Sequence, residues 1–128
     1  MRRPRLSEDS QALGLDRDQT RALLGAAEGA PARDRALLYL LVFLGLRVSE
    51  AVGIDVEDLE ATRRHETVWV RRKRDRRSQL VLAPPTATAV AAVRAGRERG
   101  ALLVTSSGRR LDRHHAAKVI TRFARAAG

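Results

Sequence analysis

Apolar residues along the chain fall into helical spacing first, then into strand spacing, then back into helical spacing. Ala22, Leu23, Ala26 and Ala27 share one helical face, Asp16 and Gln19 stand as a capping box ahead of them, and Gly29 closes the segment. After Pro31 comes "ARDRALLYLLVFLGL", polar at its start and then apolar on nearly every side, which predicts a helix buried in the core and released at Gly45. A short helix in "RVSEAVGI" follows, with Asp55 expected to cap a further turn in "VEDL".

The period then changes to two. "ETVWVRR" and "SQLVLAP" read as strands joined by a charged turn at Arg74 and Asp75, a β-hairpin in which Trp69 is expected in the core. "PPTATAVAAVRAG" reads as a helix entered through proline and left at Gly96, and "ALLVTSSGRRL" as a short strand and turn. Asp112 caps a last helix, "RHHAAKVITRFARAA", whose Ala116, Val119, Ile120, Phe123 and Ala127 lie on one face. The fold class expected is mainly α with one small antiparallel β-hairpin. Residues 1–14 are polar and without period, a flexible tail or linker remnant, and residues 15–128 form one domain.

Composition narrows the class. With 128 residues, 44% of them apolar and 31% charged, the chain is a single globular domain with a real core. There is no cysteine, which excludes disulfides and thiolate metal sites. The start "MRRPRLSEDSQ" has no apolar stretch after its basic residues and is not a signal peptide, and the most apolar run, residues 36–46, is too short to span a bilayer. A cytoplasmic protein is expected, with no cofactor.

Charge points to a partner. The net charge is +10, yet residues 1–60 hold 8 basic and 11 acidic side chains while residues 61–128 hold 17 basic and 4 acidic. A field concentrated in this way favours a polyanion, nucleic acid above all. A membrane surface fits less well, because no strongly amphipathic basic helix with aromatic anchors is visible. RNA is also disfavoured, since only one Trp, one Tyr and two Phe are available for base stacking.

Several residues could carry chemistry. Arg47 in "GLRVSE" projects from the corner between two helices, where it could hold a phosphate or simply pair with Glu50 one turn on. Lys73 stands among Arg71, Arg72, Arg74, Arg76 and Arg77, although only two of the chain's 25 basic residues are lysines. An ammonium surrounded by cations can release a proton where a guanidinium cannot, as a general acid must; the bland alternative is a solvated loop lysine. Arg72, Arg74, Arg76 and Arg77 are candidate DNA-phosphate contacts, and Arg109, Arg110, His114 and Lys118 extend that set. His114 and His115 are adjacent, so they face different ways on a helix and do not form a metal site; none is expected. Tyr39, the only tyrosine, is expected in the core with its hydroxyl bonded.

Taken together, "RDRALLYLLVFLGLRVSEAVGIDVEDL" and "VRRKRDRRSQLVLAPPTATAV" resemble the first half of a tyrosine recombinase (phage integrase) catalytic domain of the Xer type, over residues 15–128. "SSGRRLDRHHAAKVITRFARAAG" resembles the segment before that family's second box. The resemblance implies that Arg47 clamps the scissile phosphate, that Lys73 protonates the leaving 5′ oxygen, and that Glu50 is a buried acid supporting the arginine. It implies double-stranded DNA as partner, together with other recombinase protomers. The arginines around Lys73 replace the glycine-rich turn usual in the family. The family's His-x-x-Arg box and tyrosine nucleophile would lie beyond Gly128, and "HAAK" at residues 115–118 does not stand in for the box. The expectation is therefore a recombinase segment that binds DNA without cleaving it alone. The alternative is a stand-alone, non-catalytic DNA-binding protein that competes with a full recombinase.

Overall fold

The computed structural model describes residues 15–127; the tail expected at residues 1–14 lies outside them. Helix α1, Arg17–Glu28, starts as its sequence dictates: Asp16 Oδ1 accepts the Gln19 amide at 2.7 Å, and Gln19 Oε1 accepts the Asp16 amide at 2.9 Å. Leu23 and Ala27 of α1 pack with Leu38 and Val42 of α2, Ala32–Leu44. Helix α2 is the centre of the molecule. Its Leu37, Leu40 and Leu41 enter the main core, and each leucine so buried contributes about 1.5–3 kcal/mol. Gly45, at φ 70°, turns the chain out of α2 in the left-handed conformation that glycine adopts freely.

Helix α3, Val48–Val52, and a single 3₁₀ turn, Val56–Asp58, lead into an antiparallel sheet of β1 (Leu59–Ala61), β2 (Glu66–Arg71) and β3 (Arg77–Leu82), in that order. Val68 faces Leu59 on one side and Leu80 on the other. Val68, Val70 and Leu82 join the core beneath α2 and α4, Pro84–Arg94. The hairpin turn is one 3₁₀ turn, Lys73–Asp75, in which Arg74 and Asp75 both have φ 61°. Residues 95–112 form no continuous strand. They are held by bridges from Asp55 to Ala101 and from Val104 to Arg110, with Leu102, Leu103 and Leu111 fully buried. Arg97 stiffens this stretch by donating to the carbonyls of Ala101, Leu102, Val93 and Arg94 at 2.7–3.1 Å. Helix α5, Arg113–Ala127, is entered where Asp112 Oδ1 accepts the His115 amide at 2.7 Å.

The fold class is as expected, and four local expectations are corrected. Strand β1 was not anticipated; its three residues acquire strand geometry only by pairing with β2. Trp69 is not core: period two puts Val68 and Val70 inside, so the indole lies on the outer face, its Nε1 donating to Glu60 at 3.1 Å. Asp55 does not cap its 3₁₀ turn with its side chain, which is engaged by two arginines instead; Asp58 accepts the Asp55 amide at 2.9 Å. Helix α5 is amphipathic and basic after all, but Ala116 and Val119 are buried and Ile120 and Phe123 pack on the core, leaving its apolar face already used. Among the described residues no helix is long and apolar enough to cross a membrane.

Candidate functional site

Arg47 lies between the left-handed Gly45 and the first turn of α3, with Leu46 buried beside it as an anchor. The alternative open for Arg47, a side-chain ion pair with Glu50, does not form. Glu50, buried at 9% exposure, reaches back to accept the backbone amide of Arg47 at 2.8 Å, and its two oxygens receive Arg72 Nη1 at 3.3 and 3.2 Å. The Arg47 side chain is exposed and has no partner among the described residues. Glu50 therefore ties three things together: the start of α3, the Arg47 backbone, and the hairpin residue next to Lys73. Lys73, Arg74 and Arg76 at the tip are exposed, and their side chains have no partners among the described residues.

A second group of arginines is neutralised from within. Asp55 and Asp58 form an acidic ledge under the base of the hairpin. Arg71 donates to the Gly53 carbonyl at 2.8 Å and lies 3.2 Å from Asp55 and 3.6 Å from Asp58. Arg77 is 3.7 Å from Asp58 and stacks over Trp69 at 4.7 Å, a cation–π contact. Arg110 donates to the Val52 and Ile54 carbonyls at 3.0 and 3.4 Å and pairs with Asp55. Burial would raise the Asp55 carboxyl, but the hydrogen bonds and charge of Arg110, then of Arg71, outweigh it and hold the group below its ordinary value.

Arg109, directly before Arg110, is exposed with no side-chain partner among the described residues. His114 and Lys118 are exposed on α5 and line a shallow groove of about 490 Å³ with Thr121, Arg122 and Arg125. Helix α3 packs on α5, so the Arg47 corner and the basic helix are neighbouring elements. Tyr39 is half-buried within α2, its ring edge-on to Phe43 at 5.4 Å. Among the described residues no cluster of His, Asp and Glu is placed to hold a metal ion.

The structure thus divides the sequence-predicted set. Glu50 links the Arg47 backbone to Arg72, the residue before Lys73, leaving the Arg47 and Lys73 side chains free, whereas Arg72, Arg77 and Arg110 are committed to acids or carbonyls of the chain itself. The Arg71–Asp55–Asp58 ties lie outside the set read from the sequence. A signal existed in "DVED", two aspartates with no basic residue one helical turn away to answer them.

The model of the phage integrase family matches residues 14–128. This chain belongs to that family. A tyrosine recombinase XerC of Mycobacterium sp. (strain KMS) is 36% identical over 121 residues, covering 83% of this chain and 40% of the relative. XerC of Mycobacterium leprae (strain TN) is 35% identical over 127 residues, covering 91% of this chain and 41% of that protein. The chain thus spans about two-fifths of the length of these curated relatives. In fold it is similar to the XerA recombinase (TM-score 0.73, 23% identity, 89% of this chain and 42% of that one). It is also similar to the XerH site-specific recombinase bound to its difH substrate (TM-score 0.73, 20% identity, 89% and 36%). The fold of this integrase-family segment is therefore that of recombinase structures, with its own cations arranged on it.

Proposed function

We propose that this chain is the DNA-binding portion of a site-specific tyrosine recombinase, serving DNA integration and recombination by phosphoryl transfer in the cytoplasm. Arg47 is assigned to the scissile phosphate, Lys73 to protonation of the leaving 5′ oxygen, and Glu50 to support of both. The observation that carries this reading is the Glu50 junction. It joins the corner bearing Arg47 to the hairpin tip bearing Lys73, and both cations remain without intramolecular partners among the described residues. Charge stabilisation of a phosphate needs a guanidinium that is fixed by its backbone and free at its head. Protonation of an alkoxide needs a group that can part with its proton, and lysine at the tip meets that need where arginine does not.

Arg74, Arg76, Arg109, His114 and Lys118 are assigned to sequence-blind contacts with the duplex backbone. The matching of XerH bound to difH and of lambda integrase bound to DNA supports duplex DNA as the partner. The lambda integrase dimer on a COC' core site and tetramer on a Holliday junction support other protomers as further partners. Cleavage by these 128 residues alone is not part of the proposal. Their only tyrosine, Tyr39, lies within α2, half-buried and packed against the core.

The test is binding of the purified chain to duplex DNA across a salt series. The six unpartnered cations of the proposed surface, Arg47, Lys73, Arg74, Arg76, Arg109 and Lys118, give a slope of log K against log salt near −5 if all meet phosphates, at about 0.9 per contact. Arg47→Ala should weaken binding and flatten that slope by about 0.9 while leaving the melting temperature unchanged. A folded chain that ignores duplex DNA at low salt would overturn the reading.

A further inference from the structure

We propose that Arg72 is a positioning residue and not a DNA contact: through Glu50 it holds the Lys73 tip in place over the corner that carries Arg47. This deepens the reading of Arg47 and Lys73 given above and rests on it. Arg72 differs from its neighbours in burial, its side chain 26% exposed, and in direction, since Nη1 lies 3.2 Å from Glu50 Oε2 while Nε faces Ser78 Oγ at 3.4 Å. The Glu50 side chain is only 8% exposed, and its other donor among the described residues is the Arg47 amide at 2.8 Å. A carboxylate that far from water needs a cation, and the hairpin supplies it.

The tip has little else to hold it there. Two backbone hydrogen bonds close it, Arg72 N–H to Arg76 at 2.6 Å and Arg76 N–H to Lys73 at 3.3 Å. Arg74 and Asp75 both sit at φ 61°, a conformation that costs a non-glycine residue free energy and persists only where surrounding contacts impose it. The remaining side-chain ties, Arg71 and Arg77, act on the ledge of Asp55 and Asp58 at the strand ends. Among the described residues, Arg72 to Glu50 is the one side-chain ion pair from the tip side of the hairpin to α3, and it ends on the residue that fixes the Arg47 backbone.

The test uses the absence of cysteine from the chain. Ser49→Cys, at the exposed position of α3, and Arg76→Cys, on the exposed tip, accept spin labels, and dipolar spectroscopy of the free protein reads the distance between them. A single narrow distribution is expected in the parent. Arg72→Ala and Glu50→Gln should each broaden it, and the double variant no further, because both remove one tie. Arg72→Lys, which keeps a cation for the single-nitrogen contact, should restore it. Should Arg72→Ala not fold, Arg72→Gln serves in its place.

An unchanged distribution in Arg72→Ala, or broadening that adds in the double variant, overturns the proposal. On unlabelled protein, Arg72→Ala should bind DNA about two- to fivefold more weakly, as for a residue that acts without touching the ligand, with the salt slope unchanged because no phosphate contact is removed. A slope flattened by about 0.9 would make Arg72 a phosphate contact and overturn it too. Because the distances are read without DNA, failure of the DNA reading would show as no binding by any form, with the distances still deciding the role of Arg72.

Discussion

Arg109 and Arg110 are adjacent, chemically identical and used in opposite ways, so exchanging each for alanine separates surface charge from internal support. Arg110 donates to the Val52 carbonyl at 3.0 Å and pairs with Asp55, and its 3.4 Å contact to the Ile54 carbonyl is a weak addition, since that carbonyl already takes the Leu102 amide at 3.0 Å. One hydrogen bond from a charged donor is worth about 1.5 kcal/mol. An ion pair whose arginine is 43% exposed adds no more than about 0.5 kcal/mol after solvent screening. Arg110→Ala should therefore cost about 2 kcal/mol, a fall in melting temperature of roughly 6–10 °C for a domain of this size. Its DNA salt slope should stay within error of the parent.

Arg109→Ala should do the reverse, leaving the melting temperature within about 1 °C, as for a surface substitution, and flattening the salt slope by about 0.9. Thermal melts followed by circular dichroism and DNA titrations at several salt concentrations on the two variants suffice. A destabilised Arg109→Ala, or an Arg110→Ala that melts like the parent while losing salt dependence, would refute the partition of the cations on which the site rests.

The remaining predictions draw on other parts of the molecule. Because the Asp55 carboxyl is held below its ordinary value of 3.8, its contribution is full above that pH and is lost as pH falls through the folded value. Asp55→Asn should lower the melting temperature at pH 7, with the gap to the parent closing below about pH 4; a gap constant to pH 2.5 would remove the ion pairs as its cause. Leu41→Ala, at a residue 1% exposed in the main core, should cost about 2–5 kcal/mol in urea unfolding without changing the DNA affinity of the folded fraction. Joined to the C-terminal segment of a mycobacterial XerC, the chain should form a covalent DNA adduct, and Lys73→Ala should slow its formation by about 10²–10⁴-fold. Undiminished cleavage by that variant would end the general-acid assignment.

What the sequence discloses and what it hides follow the distance over which each interaction acts. The capping box of Asp16 and Gln19, the Asp112 cap and the exit at Gly45 operate within three or four residues, and each is found where local pattern puts it. The hairpin is legible because its alternation is local as well. Strand β1 is not, because "LEA" has no strand character of its own and its geometry comes from Val68, Thr67 and Glu66 opposite. Trp69 has the residue type of a core position, but the inward valines on either side leave it only the outer face. Roles within the arginine-rich hairpin are the least legible. Arg72 and Arg74 are alike in sequence, and only an acid 22 residues earlier distinguishes them.

That long-range selection also changes the meaning of the charge imbalance. Residues 1–60 carry 11 acidic side chains, and three of them, Glu50, Asp55 and Asp58, fold against Arg71, Arg72, Arg77 and Arg110 of the basic half. The acids remove from the outward field those guanidiniums whose planar, multi-donor heads serve best as internal ties to carboxylates and carbonyls. Among the exposed cations without side-chain partners are Arg47, Lys73, Arg74, Arg76, Arg109 and Lys118, on the corner, the hairpin tip and the approach to and face of α5, and others such as Arg17, Arg21, Arg63, Arg64 and Arg99 lie elsewhere on the surface. An arginine-rich composition alone would spread charge over the whole surface. Around the hairpin, Glu50, Asp55 and Asp58 decide which guanidiniums face outward, so the organisation of that surface for a polyanion depends on these acids as well as on the cations. Replacing those acids should make the molecule more basic and yet less well organised for gripping a phosphate.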